Sequence, residues 1–185
     1  MKKTLTFAFF ALLSVIGLRA SAQTNTGKSA SATLNVVLGN VYDIQIGQRS
    51  VSINMNASNH FVSGNSSGNQ IGHLVVQATT GYEVKVAAAS ELLNGVKSIP
   101  VSTVTVKPQL GVYGGAGTPP STADLVLTDQ ALAAGTQKTI ISKSTGESKR
   151  EYNVDYLIPA QRAAEYLNKT PGTYTTTVTY SLYAK

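Results

Sequence analysis

The chain has 185 residues, 42% of them hydrophobic, and a formal net charge of +6 from 15 Lys+Arg against 9 Asp+Glu. It has no cysteine, which excludes disulfides, thiol catalysis and thiolate metal sites and leaves stability to a hydrophobic core. The charge is spread thinly, so it gives no basis for nucleic-acid binding, which calls for a concentrated basic face.

Lys2 and Lys3 open the chain, an apolar run covers residues 5–18, and Ala20-Ser21-Ala22 forms a small-x-small cleavage signal before Gln23. These are the parts of a secretory signal peptide in order, and the run is shorter than the ~20 apolar residues a membrane span needs. Residues 1–22 therefore read as a cleaved leader. The product is expected in the periplasm, at the cell surface or outside the cell, with no integral membrane segment in the mature chain. Without Lys2, Lys3 and Arg19, twelve basic residues face nine acidic ones, a net +3. Lys143, Lys149 and Arg150 form the one local basic cluster and read as a solvated hairpin end.

Residues 23–31 are small and polar and read as a flexible lead-in to a single domain over 32–185. Leu34, Val36 and Leu38 then alternate with Thr33, Asn35 and Val37, the period of a half-buried strand. Gly39-Asn40 turns into a second strand over 41–46, and Val51 and Ile53 alternate with Ser52 and Asn54. Residues 55–70, rich in Asn, Ser and Gly, read as a long loop with a short strand around Phe61. Strands over 71–78 and 82–86 flank Thr79-Thr80-Gly81 and suggest a hairpin. One helical turn is expected over 90–95, from a Ser N-cap to a Gly stop.

Residues 101–107 alternate as a strand, 111–120 read as a Gly/Pro loop, and short strands are expected over 125–127 and 138–141, with a longer one over 150–158. Pro159 opens a helix over 159–168 that reads as a crossover. Pro171-Gly172 turns into the strongest strand, with Tyr174, Thr176, Val178, Tyr180 and Leu182 on one face. Many short strands between turn signals and one short crossover helix predict an all-β, immunoglobulin-like (Greek-key) β-sandwich.

No motif for catalysis or a cofactor holds up. Gly64-Asn65-Ser66-Ser67-Gly68 fits G-x-S-x-G, but a polar loop precedes it and a strand follows, where a nucleophile elbow needs strand-turn-helix. Only His60 and His73 are available to a triad or a zinc site. His73 lies within a strand pattern and reads as a satisfied structural histidine. The glycines over 111–117 lack the Lys-Ser/Thr of a phosphate loop. No loop carries acidic residues at calcium-ligand spacing, and no paired carboxylates stand out for glycoside hydrolysis. The expectation is a protein without cofactor, metal or enzymatic activity.

The segment 167–174, Leu-Asn-Lys-Thr-Pro-Gly-Thr-Tyr, followed by Thr/Val/Tyr alternation to Tyr183, resembles the closing strand of pilin-like bacterial surface proteins. It is similar above all to the spore coat protein U-like secreted β-sandwiches. Gly172 lies fourteenth from the end, where fimbrial subunits tend to carry glycine. The resemblance implies an immunoglobulin-like fold and a structural or adhesive role through β-strand pairing, with self-association or other surface proteins as partners. Leu34, Val36 and Leu38 on one side, and Tyr174, Val178, Tyr180 and Leu182 on the other, are the candidate pairing residues. Residues 23–38 are the candidate donor to the next copy, because a small polar lead-in precedes an alternating strand; the plainer reading is that 32–38 is the first strand of its own domain. An alternative class is a polysaccharide- or ligand-binding module whose loop contacts are Asn56, Asn59, His60, Asn65, Asn69 and Tyr113.

Overall fold

The computed structural model describes residues 27–185; the expected leader over 1–22 and the start of the lead-in lie outside the described residues. The strands all fall within a compact unit, Leu38–Lys185. In chain order they are β1 (Tyr42–Ile46), β2 (Gly64–Ser66), β3 (Gln70–Ala78), β4 (Tyr82–Ala88), β5 (Leu92–Asn94) and β6 (Lys97–Ile99). There follow β7 (Thr105–Tyr113), β8 (Leu125–Leu127), β9 (Gln130–Ala131), β10 (Lys138–Lys143), β11 (Glu147–Pro159) and β12 (Val178–Ala184). Two single helical turns complete the list, α1 (His60–Ser63) before β2 and α2 (Ala160–Ala163) after β11.

One antiparallel sheet runs β1-β3-β11-β7-β9, with β2 added to the far end of β11; the other runs β12-β4-β10-β8. The chain changes sheet between β3 and β4, at each step from β7 to β11, and again through α2 into β12. This is the all-β, Greek-key sandwich expected, with α2 and the 3-10 turn Ala164–Tyr166 as the crossover. The inward residues of β3 and β11 (Leu74, Val76, Tyr152, Val154) meet those of β4 and β10 (Val84, Val86, Ile140, Ile141), all sealed from solvent. Burial of each such aliphatic side chain contributes about 1.5–3 kcal/mol.

Several local expectations are corrected. The segment over 32–38 forms no strand; it is exposed, and the first ladder begins at Tyr42. The supposed hairpin over 71–86 is an arch between sheets, since β3 pairs with β1 and β11 while β4 pairs with β10 and β12. Gly81 makes that arch possible, because a Cβ there would lie 2.7 Å from Ser144 O. Residues 90–95 belong to a small hairpin, β5–β6, whose tip uses Gly95 at φ +57. Phe61 sits in a helical turn, Val101–Thr103 is a 3-10 turn, and β7 continues to Tyr113 through the expected Gly/Pro loop. At the β3–β4 arch and the β5–β6 hairpin, strand pairing outweighed a weak local preference.

The basic cluster is likewise not solvated. Lys143 is 0% exposed, and its ammonium donates to Ser121 O, Asp124 Oδ1 and Thr145 Oγ1 at 2.6–2.7 Å, which uses all three protons. The Lys143 hydrogen bond holds the Asp124 carboxyl down to about 2. Arg150 is buried and bidentate on Glu147 Oε1 at 2.8 and 2.9 Å. Glu147 Oε2 accepts from Tyr82, which also bonds Tyr152. Only Lys149 of the three remains exposed.

Candidate functional site

The six expected loop contacts do not form one site. Asn65 on β2 pairs with Ile158 near the C-terminal end of β11, whereas Tyr113 pairs with Arg150 near its start. Eight residues of strand separate those two partners, about 27 Å. Tyr113 is engaged locally, with its hydroxyl 2.8 Å from Ser148 Oγ and the Arg150 guanidinium over its ring at 5.0 Å. Asn65 donates to Asn54 O at 2.7 Å. Asn56, Asn59 and Asn69 are exposed, and His60 is half-buried at the start of α1. Among the described residues no cluster of three or more His, Cys, Asp or Glu could hold a metal ion. Ser66 lies in β2, and its hydroxyl accepts from Gly68 N–H in a tight turn, a geometry without the following helix of a nucleophile elbow.

What the structure does build is an open groove between the two edges of the sandwich. β1 is the edge of one sheet, and the chain leaves it through residues 47–56. There Val51, Ile53 and Met55 turn partly inward while Ser52, Asn54 and Asn56 are exposed. β12 is the edge of the other sheet, and before it residues 173–177 run up the opposite lip. Tyr174, Thr176, Val178, Tyr180 and Leu182 are half-buried along that lip, as the alternation predicts. Between the lips lies a space of about 700 Å³, floored by core residues such as Ile99, Val104, Leu132 and Ile158. A smaller hollow of about 270 Å³, reached past Met55 and Tyr174, adds Phe61 and Pro171. Gly172 shapes this end: at φ +147 it favours glycine, and a Cβ would collide with the Asn94 amide.

The backbone of both lips lacks partners toward the groove. Thr175 exchanges two hydrogen bonds with Leu93 at 2.9 Å, and Thr177 O accepts from Ala89 N–H at 2.8 Å, so the odd positions face the sheet. In an extended strand the even positions then point their N–H and C=O the other way. Among the described residues, Tyr174 and Thr176 make no backbone–backbone bond, and neither do residues 48–56; Asn54 O is met by the Asn65 amide. Among the described residues, two backbone stretches without backbone partners thus flank an open stretch of core.

One wall of the groove carries a polar network. His73 Nδ1 lies 3.0 Å from Gln48 Oε1, and its Nε2 lies 2.9 Å from the Tyr156 hydroxyl. That hydroxyl lies 2.6 Å from the hydroxyl of Tyr180. Both tyrosine rings meet the imidazole edge-on at 5.6 and 5.7 Å. Burial lowers the His73 pKa, pushes Tyr156 up to about 12 and raises Tyr180. His73 is thus held at both ring nitrogens.

Residues 27–37 have no secondary structure and are exposed throughout. Leu34 and Val36 are 87% and 73% exposed, as is Leu38 at 89% where the compact unit begins. Sequence reading found this alternation and that of 173–183. It missed the groove, whose only sequence signal was one more alternating stretch, 51–55, than the ladders could use. No family model matches the chain, and no curated protein matches it.

Proposed function

We propose that this protein is a non-enzymatic, exported structural subunit of a fimbria-like or matrix assembly, and that its copies join by strand addition. Residues 30–38 of one copy lie in the groove of the next, with Ala30, Ala32, Leu34, Val36 and Leu38 inward and Ser31, Thr33, Asn35 and Val37 outward. The observation that carries this reading is the groove with its two unpaired lips. Nine extended residues reach about 30 Å, more than enough to run the length of the lip over 173–178, about 17 Å. Seating them would give the free backbone groups partners and bury apolar side chains now in water. The contact is head-to-tail, so repetition extends a fibre instead of closing a dimer. The carbohydrate-module alternative loses support from the separation of Tyr113 and the Asn-rich loop.

The test is the native mass of the mature protein by light scattering over a concentration series. Growth with concentration, or SDS-resistant ladders, supports strand addition. A monomer at every concentration, or a chain that merely unfolds when residues 23–38 are removed, counts against it.

A further inference from the structure

Of the buried residues lining the groove, His73 is the one that titrates near neutral pH; the others are aliphatic apart from Tyr156. Its hydrogen positions follow from its neighbours. Gln48 donates from Nε2 to Ile71 O at 3.0 Å, so the Oε1 facing His73 is an acceptor and Nδ1 carries the proton. Nε2 is then bare and accepts from Tyr156, which accepts from Tyr180. Donation runs one way, from Tyr180 through Tyr156 to His73 and on to Gln48. It suits a neutral ring.

A second ring proton breaks this order. Tyr156 would have to turn its hydroxyl onto Tyr180, whose own proton has no other partner. The groups packed on the ring from other elements are Tyr156 of β11, Tyr180 of β12 and the neutral Gln48. Among the described residues no carboxylate lines the groove to pair with an imidazolium, and the charged side chain that lines it, Arg49, would repel one. We propose that His73 makes occupation of the groove proton-sensitive: a strand seats over the neutral imidazole and is released as the ring takes up a proton. This rests on the strand-addition reading above. An open groove leaves water at its wall to help carry a charge, and a seated strand replaces that water with apolar side chains. Burial already holds His73 below its ordinary value in the open groove, and occupation lowers it further. Seating is therefore undiminished above the pH at which His73 titrates in the open groove, itself below the ordinary value, and weakens as pH falls through it.

The test uses the mature protein with Leu34→Asp to silence its own segment and His60→Asn to leave one imidazole. A synthetic peptide of residues 28–41 is titrated in while His73 is followed by NMR. The expected result is binding that weakens between about pH 7.5 and about pH 4.5, by up to about tenfold for each pH unit below the open-groove titration of His73, with His73 titrating at lower pH when peptide is bound. His73→Gln should remove the pH dependence while keeping binding at the higher pH. If that variant fails to fold, the His73 titration in the parent chain still decides. Equal affinity at both pH values, or a titration unmoved by peptide, overturns the inference and leaves strand addition standing. A peptide that binds at neither pH overturns strand addition itself and this inference with it.

Discussion

Two regions of the sandwich treat their polar groups in opposite ways. Around the turn between β10 and β11, Lys143, Glu147 and Arg150 are buried and satisfied within the chain, Lys143 by Ser121, Asp124 and Thr145, and Glu147 by Arg150 and Tyr82. Along the groove, backbone groups of 48–56 and of Tyr174 and Thr176 have no backbone partner among the described residues, beside an open core. The same chain that closes three charges into its interior does not close its own edge. The first region is closed within the chain, and the second is the surface on which the strand-addition proposal rests.

Predictions can break or sharpen that contrast. The largest effect is expected at the closed region. Glu147→Ala leaves a buried guanidinium unpaired and should cost about 3–5 kcal/mol in chemical denaturation; a loss within experimental error would mean the network is not what holds this region. Next, Leu34→Asp should weaken self-association by about 1.5–3 kcal/mol, read by light scattering, and leave the thermal midpoint of the monomer unchanged. An equal fall in both would place Leu34 in the protein's own core. Third, the depressed Asp124 pKa gives stability that is present above about 3.8 and lost as pH falls toward about 2. Denaturation curves over that window should show this loss in the parent and less of it in Asp124→Asn. The smallest effect is Tyr113→Phe, which gives up one exposed hydroxyl contact and should change stability by less than about 0.5 kcal/mol.

The fold class was legible because alternation is a direct consequence of a sheet with one buried face. It worked best over 174–182, where five alternate residues are half-buried as read. It failed at 32–38, where the alternation is present in the sequence but no ladder among the described residues takes the segment. Periodicity states that a stretch can be half-buried and does not state against which molecule. The buried positions of Lys143 and Arg150 were illegible because their partners, Asp124 and the Glu147–Tyr82 pair, come together only through the turn geometry of β10 and β11. The groove was illegible for a related reason: it is defined by missing pairs, which no local pattern records.

The most direct test uses the absence of native cysteine. Copies carrying Val36→Cys are mixed with copies carrying cysteine in place of Thr175, Thr176 or Thr177 and oxidised; neighbouring strands bring Cα atoms within disulfide range of about 4.4–6.8 Å. Strand addition predicts a disulfide-linked dimer of unlike copies from at least one pairing, suppressed by Leu34→Asp. A disulfide that forms only within a single doubly substituted chain, with no dimer from any mixture, would contradict it and return residues 30–38 to their own domain.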